Sequence, residues 1–228
     1  VTVCGVADRH IAFPPYFVEM GHTLPTEIDS ATRAEIERVF RKGIAALGIT
    51  DGAAKGDILL SEDGPVVGEI AARLSGGYMS GWTFPYATGT PVTEAAMRVA
   101  LGMDPGSLAP RWEGVSAERA FISIPGTVRS VHGLEPARSI PGVRELFARA
   151  ETGDRVRFPR NNVEKCGNVI AVGSRREDAV AGAEAAVREL LVELEPGDAG
   201  TLAFLFEDVK RARSVRRSGA TSSPARRI

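Results

Sequence analysis

Two carboxylates in a predicted β-hairpin are the residues of this chain whose spacing favours metal chemistry. In the segment 55–77, Asp63-Gly64 separates two apolar runs, which is a strong hairpin signal. A three-residue loop places Asp57 opposite Glu69, with Cβ atoms roughly 4.5–5.5 Å apart. Like charges held that close repel each other. A divalent cation between the two carboxylates removes this repulsion.

The length of the hairpin loop decides whether the two carboxylates meet. In a two-residue loop, Asp57 and Glu69 lie on opposite faces of the hairpin. In a three-residue loop of residues 62–64, they share one face with Lys55 and Arg73, because side chains repeat every two residues along a strand. The sequence leaves both registers open.

Magnesium suits the facing register, because Mg²⁺ binds through one or two carboxylates, several waters and substrate phosphates. Mn²⁺ is an alternative occupant. Lys55 and Arg73 are suited to contact phosphate oxygens or an anionic intermediate. The hairpin therefore predicts a metal-and-phosphate site. The alternative is a solvated sheet face with scattered charges.

This hairpin resembles the C-terminal core of ATP-grasp ligases. In that family an acidic residue on one strand, and a Glu-x-Asn-x-Arg signature on the next, hold magnesium and ATP phosphates. Asp57 matches the first acid, Glu69 the second and Arg73 the arginine. Ala71 stands where many members have the Asn, so the resemblance implies that Asp57 and Glu69 are the metal ligands.

The resemblance covers roughly residues 1–195. Segment 19–25, EMGHTLP, and residues 117–195 are similar to the parts that flank the hairpin in one branch of the family. That branch includes biotin carboxylase, carbamoyl-phosphate synthase and amino-acid ligases. The implied fold is α+β: an ATP-grasp C-terminal subdomain, in which helices flank an antiparallel sheet, followed by a small α/β lobe.

A loop rich in glycine and aromatic residues, 75–86, follows Arg73 directly. Its glycines allow close backbone approach and its aromatic side chains can line a pocket, so it predicts substrate contact. His22 is a candidate for the same pocket, with a structural hydrogen-bonding role as its alternative. The candidate substrate-contacting residues are Ser75, Gly76, Gly77 and His22.

The resemblance implies an ATP-dependent ligase. Such an enzyme activates a small-molecule carboxylate as an acyl phosphate, which an amine or similar nucleophile attacks. Asp57 and Glu69 would bind magnesium with ATP, while Arg73 and Lys55 would steady the transferred phosphoryl group.

In this family an N-terminal domain and a lid that grips ATP precede the hairpin. The chain is therefore expected to be inactive without the missing N-terminal part of the same enzyme. One alternative is a non-catalytic ATP-grasp remnant that serves binding or assembly. Another is a carboxylating enzyme of the biotin-carboxylase kind.

Periodicity and punctuation predict the elements that position these residues. An apolar stripe from Ile28 to Ile44 predicts a helix that Asp29 or Ser30 caps. Strands are expected at 1–6, 16–20 and 119–124, a loop at 75–91 and a long helix at 175–194. Pro105, Gly106 and Pro110 mark a linker. The expected units are the ATP-grasp part (1–108), the small lobe (117–195) and a largely disordered tail (196–228).

Composition restricts the class of protein. The 228 residues carry a formal net charge of −1. Two distant cysteines and no long apolar run indicate a cytoplasmic protein with reduced thiols and no membrane contact. Residues 207–228 hold seven Lys/Arg against two acids but lack a nucleic-acid motif, so a nucleic-acid partner is not expected. A homodimer is left open.

Overall fold

The computed structural model describes residues 1–206, which form three antiparallel sheets and the helices packed on them. In chain order the elements are β1 (Asp8–Ala12), β2 (Val18–Leu24), α1 (Ser30–Ala46), β3 (Lys55–Ser61), β4 (Gly64–Ala71), a π-helical turn (Met79–Thr83), α2 (Phe84–Thr88), α3 (Val92–Ala100), β5 (Val115–Phe121), β6 (Gly126–His132), α4 (Leu134–Arg138), β7 (Val143–Ala148), β8 (Arg155–Val156), β9 (Gly167–Gly173), α5 (Arg176–Glu189) and β10 (Leu191–Leu194).

The largest sheet has five strands in the order β1-β2-β5-β9-β7. Strands β1 and β2 come from the predicted ATP-grasp part, whereas β5, β7 and β9 come from the predicted small lobe. Both parts therefore contribute to one sheet. A three-stranded sheet, β10-β6-β8, and the β3-β4 hairpin complete the architecture.

Helix α1 packs against the hairpin and supports it. Asp29 caps the helix, and its Oδ1 accepts hydrogen bonds from the backbone N–H groups of Ala31 and Thr32, both at 2.9 Å. A Cβ added at Gly43 of the helix would lie 2.3 Å from Cδ1 of Ile70 on β4, so the glycine leaves room for the Ile70 side chain to pack on the helix. The predicted helix and its cap are confirmed.

Helix α5 covers one face of the five-stranded sheet through small side chains. The fully buried residues of this contact are Ala117, Ala171, Ala179 and Ala183. Because alanine has no side chain beyond Cβ, the helix lies close to strands β5 and β9. This packing holds rigid the strands that carry the buried polar residues described below.

Three predicted elements differ in the structure. Residues 1–6 form no strand, and the first strand begins at Asp8. The expected loop at 75–91 contains a π-helical turn and α2, which ends at Gly89 with a φ of +72°. The long helix predicted at 175–194 stops at Glu189, because Leu190 is extended and the following residues pair with β6 instead.

The predicted tail begins with ordered structure. Residues 199–206 are helical, and Asp198 Oδ1 accepts a hydrogen bond of 2.8 Å from the N–H of Gly200 at the start of this helix. Phe204 stacks on Phe158 with ring centroids 5.6 Å apart. The tail that was expected to be largely disordered, 196–228, is therefore helical over residues 199–206, and residues 207–228 lie outside the described residues.

Within residues 1–206, no helix combines the length and the apolar character that crossing a bilayer requires.

Substituting Gly21 with alanine should destabilise the central sheet. Gly21 has a φ of +149°, and a Cβ there would lie 1.9 Å from the Glu118 carbonyl oxygen, so β2 and β5 would be forced apart. We expect Gly21→Ala to lower the free energy of unfolding by about 3 kcal/mol or more. Gly52→Ala is the control, because Gly52 has a φ of +102° with open space around it. Equal losses for both variants in urea denaturation would contradict this reading.

Candidate functional site

The β3-β4 hairpin places Asp57 directly opposite Glu69 and Lys55 opposite Ala71. This is the pairing that the predicted three-residue loop gives, but the loop itself is neither of the two predicted ones. The loop has two residues, 62–63, and Ser61 pairs with Gly64. Without a further irregularity, this loop would shift the residue that pairs with Asp57 by one position.

A β-bulge restores the pairing of the carboxylates. The register shifts between Asp57 and Ile58, so Gly68 is the extra residue on β4. Glycine suits this position, because an added Cβ would lie 3.2 Å from the Asp57 carbonyl oxygen. A glycine inside a strand is a known sign of a bulge. Gly68 is therefore compatible with a bulge, but the pairing of the two strands decides that the bulge lies there.

Lys55 lies between the two carboxylates. Its Nζ is 3.0 Å from Asp57 Oδ2 and 2.8 Å from Glu69 Oε1. Burial acts to lower the pKa of Lys55, but its hydrogen bonds to Glu69 and Asp57 outweigh this effect and raise the pKa above its ordinary value. The ammonium group thus takes the place between the carboxylates that the sequence predicted for a cation.

Arg9 of β1 joins the hairpin to the central sheet. Its Nη1 donates to Asp57 Oδ2 and its Nε donates to Glu19 Oε2, both at 2.8 Å. Partial burial acts to raise the pKa of Asp57, but the hydrogen bond from Lys55 and the charge of Arg9 hold it below its ordinary value. One arginine therefore links the predicted metal side of the site to the sheet.

His22 of β2 faces two further carboxylates. Its Nδ1 is 3.0 Å from Glu118 Oε2, and its Nε2 is 3.6 Å from Glu19 Oε2. The other carboxylate oxygen of Glu118 accepts a hydrogen bond of 2.7 Å from Asn168 Nδ2. The structure thus brings His22 into the same charged network as the hairpin.

Lys165 completes this network from the loop before β9. Its side chain is 7% exposed, and its Nζ donates to the Glu19 carbonyl oxygen at 2.9 Å. Burial lowers the pKa of Lys165, and the nearby carboxylates of Glu19 and Glu118 partly oppose this shift. A buried cation therefore lies beside Glu19, opposite the side that Arg9 contacts.

The remaining predicted residues lie apart from this network. Arg73 follows the end of β4, so the alternation of side chains along the strand no longer determines which way the Arg73 side chain points. Its guanidinium donates to the Leu74 carbonyl oxygen at 3.0 Å, and it takes part in no ion pair among residues 1–206. Ser75 is half-buried, whereas Gly76 and Gly77 are exposed. The structure thus leaves the arginine and this part of the loop open to a ligand.

Sequence reasoning missed five members of the network: Arg9, Glu19, Glu118, Lys165 and Asn168. A signal existed for Glu118, because it is a charged residue inside the buried strand VSAERAF, and buried charges are paired. The predicted strand began one residue later, at 119, and so excluded it. Arg9 and Glu19 carried no such signal, because only the sheet pairing brings them together.

The hairpin carboxylates are chemically suited to bind a divalent cation, but they do not supply a complete coordination shell. Asp57 and Glu69 converge on one position, which the Lys55 ammonium takes. No group of three or more His, Cys, Asp or Glu residues suited to a metal occurs in the part of the chain that the structure describes. Two carboxylates match the way in which Mg²⁺ is bound together with phosphates and waters.

Known proteins share both sequence and fold with this chain. Residues 120–195 match a family model described as L-amino acid ligase C-terminal domain 2. Carnosine synthase 1 of Gallus gallus is 27% identical over 183 residues, which cover 73% of this chain and 19% of that protein.

Two solved structures resemble the chain closely in fold. The L-amino acid ligase from Bacillus licheniformis has a TM-score of 0.70 at 22% identity, over 79% of this chain and 45% of that one. Phosphoribosylglycinamide synthetase from Anaerococcus prevotii has a TM-score of 0.72 at 15% identity, over 83% and 49%. The chain thus spans less than half the length of these proteins. The likeness confirms the predicted α+β fold.

Asp57 should make the stability of the hairpin dependent on pH. Its pKa is lower in the folded chain than the roughly 3.9 of an unfolded one, so its contribution is present above about pH 4 and is lost as the pH falls through the folded pKa. We expect Asp57→Asn to be less stable than the wild type at pH 7 and to approach it at pH 3 in urea denaturation. Asp63→Asn, in the hairpin turn, is the control. A difference that persists at acid pH would contradict the assignment.

Proposed function

From the premise that this chain has the fold of the C-terminal part of ATP-grasp enzymes, we propose that it forms the metal-side portion of an ATP-dependent carboxylate–amine ligase. The substrate would be a small-molecule carboxylate, converted to an acyl phosphate that an amine attacks. The match of residues 120–195 to an L-amino acid ligase domain supports this reaction class.

The observation that carries the proposal is the facing pair Asp57 and Glu69. Two adjacent strands hold these carboxylates opposite each other, and both approach a single cation. A pair of like charges in direct opposition destabilises a sheet unless a cation compensates it. Conformational rigidity comes from α1, which packs on the hairpin. The pair is therefore a pre-formed receptor for positive charge.

In the proposed enzyme, Asp57 and Glu69 hold magnesium. Bound there with ATP, the metal supplies charge neutralisation for the phosphates. Lys55 already contacts both carboxylates, and its four-carbon stem allows its ammonium to move to a phosphate oxygen. The exposed guanidinium of Arg73 is suited to pair with the transferred phosphoryl group, because a planar guanidinium can donate two parallel hydrogen bonds.

The substrate would lie between the hairpin and the central sheet. His22 of β2 and Lys165 of the loop before β9 border this region, and Ser75, Gly76 and Gly77 follow the hairpin along the chain. The loop backbone is open at Gly77, which has a φ of +61°. The proposal therefore places the anionic groups of the reaction among three cationic side chains: Lys55, Arg73 and Lys165.

A metal-binding experiment tests the site without requiring catalysis. Mn²⁺ added to the isotope-labelled 228-residue chain should broaden NMR signals of residues around 57 and 69. In the double variant Asp57→Asn/Glu69→Gln this localised broadening should be lost, while Glu94→Gln, on an exposed helix face, should retain it. Broadening that is unchanged in the double variant would contradict the assignment of Asp57 and Glu69 as metal ligands.

A turnover experiment tests the reaction class in the polypeptide translated from the whole reading frame. Glu69→Gln should lower amino-acid-dependent ATP hydrolysis on the order of 10²-fold or more, because charge stabilisation at the phosphates is lost. Its circular dichroism should match the wild type. Metal binding by the wild type without any amino-acid-dependent hydrolysis would instead favour a non-catalytic binding module.

A further inference from the structure

Glu118 is the most deeply buried charged residue of the network. It lies on β5 with 2% of its side chain exposed, and both of its carboxylate oxygens have partners. Asn168 Nδ2 donates to Oε1 at 2.7 Å, and His22 Nδ1 lies 3.0 Å from Oε2. A buried carboxylate is costly unless it is hydrogen-bonded on both oxygens. This arrangement therefore determines which ring nitrogen of His22 carries its hydrogen.

An ionised carboxylate can only accept hydrogen bonds. The contact with Glu118 Oε2 therefore requires His22 to carry its hydrogen on Nδ1. In the neutral ring the other nitrogen, Nε2, is then a hydrogen-bond and proton acceptor. The backbone of His22 is also held, because Arg119 Nη1 donates to its carbonyl oxygen at 3.2 Å.

A bulge in β2 directs the open nitrogen of His22 toward Glu19. In β2, Gly21 pairs with His10 and Glu19 pairs with Ile11, so Met20 is the extra residue. In a regular strand, residues 19 and 22 would point to opposite faces. The bulge places both side chains on one face, and Nε2 lies 3.6 Å from Glu19 Oε2.

Two cationic side chains balance the charge of Glu19 without any contribution from His22. Arg9 donates to Glu19 Oε2 at 2.8 Å, and Lys165 Nζ lies 3.9 Å from Oε1. Glu19 is thus held between two cationic side chains. It can pair with an imidazolium that forms on His22, while Glu118 remains on the opposite nitrogen.

We propose that Glu118 is a positioning residue that holds His22 in the Nδ1–H tautomer, so that His22 Nε2 accepts the proton of the attacking amine. This inference rests on the proposed ligase function. The amine nitrogen forms a C–N bond to the acyl carbon of the acyl phosphate. The bond from that carbon to the phosphate oxygen breaks, its electron pair leaves with phosphate, and the N–H proton passes to Nε2. The imidazolium then faces Glu19.

The tautomer can be observed in the 228-residue chain itself. In long-range ¹H–¹⁵N spectra at neutral pH, with assignments from His10→Asn and His132→Asn, neutral His22 should show a protonated Nδ1 and a bare Nε2. Finding the hydrogen on Nε2 in the wild type would overturn the proposal, because Glu118 would then have to donate to Nδ1.

Substitution of Glu118 by glutamine keeps the shape of the side chain and removes its charge. An amide can donate to Nδ1, and such a replacement is known to select the wrong tautomer in a histidine–carboxylate pair. We expect Glu118→Gln to move His22 to the Nε2–H form. Glu193→Gln is the matched control, because Glu193 contacts His132 at 2.7 Å on the three-stranded sheet. A Glu118→Gln variant with the wild-type tautomer would contradict the positioning role.

A choice of nucleophile separates this inference from the proposed function. The test uses the polypeptide translated from the whole reading frame. Hydroxylamine traps acyl phosphates without a catalyst, because its nitrogen is unprotonated at neutral pH and the proton released on acylation passes to water. Glu118→Gln should retain hydroxamate formation with ATP and an amino-acid mixture, but should lose roughly 10²–10⁴-fold in kcat for amide formation. Absence of hydroxamate in the wild type would reject the ligase proposal. Equal loss of both products, or of neither, would reject the role of Glu118.

Discussion

The balance of charge around Asp57 and Glu19 is the constraint on which the rest of the site depends. Arg9 bridges the two carboxylates with contacts of 2.8 Å on each side, and Lys55 and Lys165 neutralise their outer faces. Carboxylates this close to one another would repel each other without those cations. Because Asp57 belongs to the hairpin and Glu19 to the central sheet, the same contacts hold the two sheets in their relative position.

Backbone irregularities determine which side chains enter this balance. The bulge at Gly68 restores the opposition of Asp57 and Glu69, and the bulge at Met20 turns Glu19 to the face of His22. Bulges add one residue to one strand, so each reverses the side-chain alternation beyond it. The close approach of β2 and β5 at Gly21 then brings Glu118 under His22. Two extra residues and one glycine thus assemble the site.

Differences in burial separate the roles of the charged residues in this network. The hairpin carboxylates are partly exposed and contact a lysine, which suits the binding of charged ligands that arrive from solvent. Glu118 and Asn168 are almost fully buried, so their role is to orient a neighbour. His22 lies between these two environments. A proton acceptor is best placed there, because its orientation is set from the buried side while its open nitrogen faces the charged side.

The sequence by itself determined the hairpin, the helix that supports it, the α+β class and the facing of Asp57 with Glu69 as one of two registers. The hairpin, the helix and the two registers follow from local signals, namely a turn, a periodic stripe, a cap and an acidic pair, whereas the α+β class follows from the resemblance to ATP-grasp ligases. Only the tertiary structure decided that a bulge sets the register and that Arg73 lies past the end of its strand. It also decided that His22 belongs to one network with Arg9, Glu19, Glu118, Lys165 and Asn168. The reason is physical. Glu118 is 96 positions from His22 along the chain, and strand pairing across the sheet brings the two together without any local sequence pattern.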